Sequence, residues 1–140
     1  MKYDNKVKIE MLSRYVNESV VTKAVSAFVE ELDLSVEELI DVKTAVSEAV
    51  NNSIIHGYEG KRGNIIINLK RTDRTIFIEV IDKGKGIEDI EKARDVFYSS
   101  KEDMSGMGFT IMDMYMDKLV VESELGKGTK VTMKRTFPKQ

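Results

Sequence analysis

The stretch Ser47-Glu48-Ala49-Val50-Asn51-Asn52-Ser53-Ile54-Ile55-His56-Gly57-Tyr58 decides how this chain is read. Just upstream, Leu39, Val42 and Val46 lead into Ala49 and Val50 as one apolar stripe. That spacing predicts an amphipathic helix. Ser35 opens it, and Glu38 three residues on completes a capping box. Gly57 suits its end. On this helix Glu48, Asn52 and His56 step by four and form a second stripe that flanks the apolar one. A carboxylate and a carboxamide one turn apart, at the margin of a core, are placed to line a pocket.

Outward from this helix the pattern changes period. Val7-Lys8-Ile9-Glu10-Met11 alternates and predicts a strand. Val20, Ala24 and Phe28, with Val21, Val25 and Leu32, predict a helix over roughly 17–32. On the other side, 64–71 and 75–82 are β-rich and joined by a short polar turn, a predicted hairpin. A short helix over 87–96, a polar glycine-bearing loop over 98–107 and a helix over 108–116 come next. Two strands, 119–124 and 129–137, close the chain around a Gly126/Gly128 turn. The order β-α-α-β-β-α-loop-α-β-β predicts an α+β two-layer sandwich. Its helices lie on one face of a mixed, mostly antiparallel sheet.

The bulk numbers agree with one domain over 1–140. Hydrophobic residues at 41% and charged residues at 33% are enough for a real core and a wetted surface. A formal net charge of -2 gives no broad attraction to nucleic acid, so no direct nucleic-acid partner is expected. With no cysteine, disulfides and thiol chemistry are excluded. The start lacks an apolar signal core, and no apolar run reaches membrane-spanning length. The expectation is a cytoplasmic protein with no membrane contact.

Three glycine-bearing turns follow the helix: Asp82-Lys83-Gly84-Lys85-Gly86, Ser105-Gly106-Met107-Gly108-Phe109 and Gly126-Lys127-Gly128-Thr129. Taken singly, each has a plain reading as a solvated helix face, a strand-ending turn or a hairpin turn. Taken in this order they suggest an ATP site. Asn52 offers one neutral oxygen, which suits a Mg²⁺ held mainly by nucleotide phosphates and water. Glu48 can take a proton from an attacking hydroxyl or orient a water. Asp82 can accept from the adenine amino group, with Gly84 and Gly86 allowing close approach and positive φ. Ser105, Gly106, Met107, Gly108 and Phe109 open a helix, where bare N–H groups cradle phosphate. Lys101 would add a positive charge there, and Thr129 would face the adenine. His56 reads as a helix-end residue lining the nucleotide rather than as a catalyst. The crowd of Met107, Met112, Met114 and Met116 suits adaptable core packing or a pliable partner surface. No P-loop, dinucleotide loop or eukaryotic-type kinase signature occurs, and the single histidine rules out multi-histidine metal clusters.

These boxes in this order resemble the ATP-binding superfamily of DNA gyrase B, the heat-shock chaperone, bacterial histidine kinases and the mismatch-repair ATPases. Ser47-Glu48-Ala49-Val50, Ile54-Ile55-His56-Gly57-Tyr58, Ser105 to Met112 and Val121-Glu122-Ser123 are similar to the anti-sigma factor serine kinases, most of all their sporulation branch. The similarity covers nearly the whole chain. It implies a histidine-kinase-like ATPase fold and a homodimer that binds and silences an RNA polymerase sigma factor, sigma F or a relative. It also implies phosphorylation by Mg-ATP of a serine or threonine on an anti-anti-sigma partner, and an ADP-bound form that holds that partner. By this resemblance Glu48 is the catalytic base, Asn52 the Mg²⁺ ligand and Asp82 the adenine anchor. Gly84, Gly86, Gly106, Gly108 and Thr129 would line the nucleotide. One departure is visible: Met104 stands where the family has an arginine just before Ser-Gly-Met-Gly, and the segment before it is short. That departure supports an alternative, a non-catalytic ATP-gated sigma-binding module. A histidine-kinase catalytic domain fits less well, since no helical hairpin with a phosphoacceptor histidine is present.

Overall fold

In a computed structural model, which describes residues 2–95 and 105–139, five strands form one sheet with the helices packed on one face. The strands are β1 (Asn5–Leu12), β2 (Asn64–Thr72), β3 (Thr75–Asp82), β4 (Lys118–Glu124) and β5 (Gly128–Thr136), in the spatial order β1-β2-β3-β5-β4. All four pairings are antiparallel, so the sheet is wholly antiparallel where a mixed one was expected. The reason is β5, which turns back from β4 and inserts between β4 and β3. β3 and β4 do run the same way but never pair.

The helices are α1 (Glu18–Phe28), α2 (Val36–Asn52), α3 (Ile90–Arg94) and α4 (Ser105–Tyr115). The capping box forms as the sequence predicts. Ser35 Oγ accepts the Glu38 amide at 3.1 Å, and Glu38 Oε1 accepts the Ser35 amide at 2.9 Å. The last turn of α1 tightens into a 3₁₀ turn (Glu30–Leu32), stopped by Asp33 at φ 49°. α4 starts three residues earlier than the predicted Gly108, at Ser105. The predicted loop over 98–107 otherwise lies largely outside the described residues.

The core is the interface of the two layers. Val21 and Val25 of α1 and Val42, Val46 and Val50 of α2 are buried against Ile65, Ile67, Leu69, Ile76, Ile78, Val80 and Met133 of the sheet. Each such side chain contributes about 1.5–3 kcal/mol by leaving water. The inward set alternates along β3 as Ile76, Ile78, Val80 and then Asp82. A carboxylate thus occupies a position that the period of two assigns to the core.

α2 does not end where its hydrogen-bond ladder changes. Beyond Asn52 the chain widens into a π turn (Ser53–Gly57), and the Tyr58 amide reaches back to the Ser53 carbonyl at 2.9 Å. Such wide turns gather at functional sites. This one shifts His56 off a strict step-of-four stripe, while Ser53, which opens it, continues the buried face of Ala49 and Val50.

Candidate functional site

The π turn and the β3–α3 loop are clamped together at three points. Ser53 Oγ donates to Asp82 Oδ2 at 2.7 Å, with both residues buried. The Gly57 carbonyl accepts the Lys85 amide at 2.9 Å. Tyr58 Oη accepts the Lys83 amide at 2.8 Å while donating to the Asn64 carbonyl at 2.5 Å. Gly84 also donates its amide to Asp82 Oδ1 at 3.0 Å.

The expected positive φ is found at Gly86, and the close approach at both loop glycines is to protein backbone. A Cβ at Gly84 would lie 2.2 Å from the Gly57 carbonyl oxygen. Gly86 has φ +76°, and its Cβ would lie 2.1 Å from the Glu124 carbonyl oxygen. Packing of protein backbone on protein backbone therefore demands both, before any ligand is considered.

Beside this clamp lies a cleft of about 1360 Å³. Of the predicted site residues, Asn52, His56, Asp82, Gly86, Phe109 and Thr129 line it, along with Ser53, Ile87, Ile90 and Leu125. Glu48, Gly84, Met107 and Gly108 are not part of the lining; Met107 is exposed. Ser105 and Gly106 form the first turn of α4. Lys101 and the side chain of Ser105 lie outside the described residues.

Glu48 and Gly108 nevertheless meet at the edge of this site. A Cβ on Gly108 would sit 3.2 Å from both the Asn52 amide and Glu48 Oε2, so α4 starts directly against the Glu48–Asn52 pair. Asn52 Nδ2 is buried there with no hydrogen-bond partner among the described residues. The buried donor end of this amide, beside a carboxylate, fits an acceptor such as a phosphate oxygen, and only the Asn52 oxygen could face a cation. Among the described residues no cluster of three or more His, Cys, Asp or Glu could hold a metal. A cation at Asn52 would need phosphate and water for most of its shell, as Mg²⁺ commonly does.

Both carboxylates are shifted upward. Burial pushes Asp82 up, and donors from Ser53, Gly84 and the Thr129 backbone pull it part of the way back. Burial also pushes Glu48 up, with the nearby negative charge of Glu18 adding to it. Glu18 in turn accepts Ser47 Oγ at 2.5 Å, tying α1 to the turn that carries Glu48. On the far wall Thr129 lies across from Asp82 in the sheet. Its Oγ1 shares a 2.8 Å hydrogen bond with Ser123 Oγ, which also accepts the Ile87 amide at 2.7 Å.

Sequence reading missed Ser53, Tyr58 and Ser123. Ser53 sits inside a helical pattern that gave it no distinct role. Its only signal was a small hydroxyl one residue after the Glu48/Asn52 pair.

A model of the histidine kinase-like ATPase domain matches residues 12–135. The chain is 52% identical over 138 residues to the anti-sigma F factor of Clostridium botulinum (strain Alaska E43 / Type E3), covering 96% of each. It is 52% identical over 136 residues to the anti-sigma F factor of Clostridium acetobutylicum, covering 96% of this chain and 95% of that one. The chain belongs to the anti-sigma F factor family of histidine kinase-like ATPases. The ATPase-domain match implies nucleotide binding and accounts for the α+β sandwich. A crystal structure of the RsbU and RsbW domains of a Mycobacterium tuberculosis protein matches the same fold. Its TM-score is 0.65 at 16% identity, over 94% of this chain and 32% of that one. No helix among the described residues is long and apolar enough to cross a membrane.

Proposed function

We propose that this chain is a cytoplasmic, single-domain anti-sigma factor. On this reading it binds an RNA polymerase sigma factor, sigma F or a relative, and uses Mg-ATP to phosphorylate a serine or threonine of an anti-anti-sigma protein. It acts as a homodimer. The reading is carried by one observation: Glu48 and Asn52 lie together against Gly108, beside the cleft that holds buried Asp82. The names of its relatives support the sigma-binding half.

In this mechanism Asp82 accepts the adenine amino group and Thr129 supports the same end. Gly106 and Gly108 bring the start of α4 to the phosphates, where a helix N-terminus favours an anion. Asn52 would hold Mg²⁺, which supplies charge neutralisation on the phosphates when bound. Glu48 takes the proton of the partner's hydroxyl as that oxygen bonds to the γ-phosphorus and the bond to the departing ADP breaks. The upward shift of Glu48 makes it a better proton acceptor than an ordinary carboxylate.

A test is transfer of label from γ-labelled Mg-ATP to a candidate anti-anti-sigma protein, scored as acid-stable phosphate. Wild type should label the partner. Glu48→Gln should bind ATP within about threefold of wild type and lose at least about a hundredfold in transfer, the usual scale of a positioned base. Unchanged transfer by Glu48→Gln sinks the assigned mechanism. A second reading, the ATP-gated module without transfer, is favoured by Met104 in place of the family's arginine. ATP binding and sigma capture with no labelled partner would select it.

A further inference from the structure

Asp82 is a buried, hydrogen-bonded carboxylate at the end of β3. It is 5% exposed and closes a core-facing strand pattern. Its two oxygens are held separately: Oδ2 by the Ser53 hydroxyl at 2.7 Å, Oδ1 by the Gly84 amide at 3.0 Å. Ser53 is itself 4% exposed and is delivered by the π turn, not by a loop that could swing away. Both residues line the cleft. With the Thr129 backbone amide as a third donor, the carboxylate is fixed in plane, and whatever capacity it has left is acceptor capacity.

We infer that Ser53 is a specificity-determining positioning residue, whose hydroxyl locks Asp82 as an acceptor and so selects 6-aminopurine nucleotides over 6-oxopurine nucleotides. The inference rests on the reading above in assigning Asp82 to the base. A 6-amino group donates to the carboxylate. A 6-oxo group is an acceptor and meets it lone pair to lone pair, leaving both buried groups unsatisfied. Without Ser53, Oδ2 loses a buried donor. The carboxylate is then freer to rotate, and its protonated form, which can donate to a 6-oxo group, is less disfavoured. Selectivity should therefore fall by two routes, weaker ATP binding and less rejection of the oxo analogue.

The test is calorimetric titration of the full chain with Mg-ATP and with Mg-inosine triphosphate, which differs from ATP in the purine 6-position and the N1 proton. Wild type should prefer ATP by about a hundredfold or more. Ser53→Ala should weaken ATP by about tenfold, the scale of one lost buried hydrogen bond, and narrow the preference by at least that factor. Ser53→Thr, which keeps the hydroxyl, should restore the preference. Ser53→Cys, similar in size with a weaker donor, should fall between and serves if the alanine variant does not fold. Asp82→Asn separates the two layers of the proposal. If it leaves the ATP preference intact, the assignment of Asp82 to the base fails. If it abolishes the preference while Ser53→Ala and Ser53→Cys both keep the wild-type ratio, the role of Ser53 is overturned.

Discussion

At the scale of single residues, the two site carboxylates are held at a cost to the fold. The carboxyl of Glu48 is raised by burial and by Glu18. It binds a proton more tightly folded than unfolded, so its stabilising share is present in acid and is lost as pH rises through the folded value. At neutral pH, ionised Glu48 therefore destabilises the empty protein. Glu48→Gln should raise the melting temperature of the nucleotide-free chain by a few degrees at pH 7. That gap should close as the pH is lowered towards about 4, where ordinary glutamates protonate. Melts of both proteins across this range check it, and a gap that grows in acid would contradict the sign. Glu48, Asn52, Asp82 and Thr129 stood out in the sequence as candidates because their residue types and order carry chemistry. Ser53 was not, because its importance comes from Asp82, which is 29 residues away and reached only through tertiary structure.

At the scale of elements, the turns matter more than the helices they join. The strand and helix runs could be read from period and caps, and the boundaries moved by only a few residues. What the sequence did not reveal was pairing. Nothing local says that β5 lies between β3 and β4, and that placement makes the sheet wholly antiparallel. Nor does an i→i+5 turn have a sequence signature, so the π turn read as plain helix. The clamp between this turn and the loop after β3 leads to a comparison of two glycines. Gly84→Ala forces a Cβ to 2.2 Å from the Gly57 carbonyl. It should cost about 2–3 kcal/mol, roughly 5–10 °C in melting temperature, and weaken ATP binding as well. Gly126 has φ +83° with open space around it and does not line the cleft, so Gly126→Ala should cost only about 1–2 kcal/mol of backbone strain and leave ATP affinity alone. Thermal melts with ATP titrations distinguish the two; equal losses of affinity would mean the clamp does not position the site.

At the scale of the whole molecule, β1 is an edge strand with no partner on one side among the described residues. Val7 and Leu12 on it, and Tyr15, Val16 and Val20 just after it, are all exposed. An open edge beside exposed apolar side chains is a surface that a second copy can cover. Light scattering at micromolar concentration should return about twice the 15.9 kDa chain mass, with and without ATP. A strict monomer in both conditions would count against the homodimer. A different consequence follows from α2 and its π turn being one continuous piece. That piece carries Glu48 and Asn52 and holds Asp82 through Ser53. The two ends of the site are thus marks on a single stiff ruler, whose length does not change with what is laid along it. A ruler of this kind cannot itself tell a diphosphate from a triphosphate. On the proposed reading, among the described residues the tally of phosphates falls to the piece that abuts its upper mark, the first turn of α4 at Gly108.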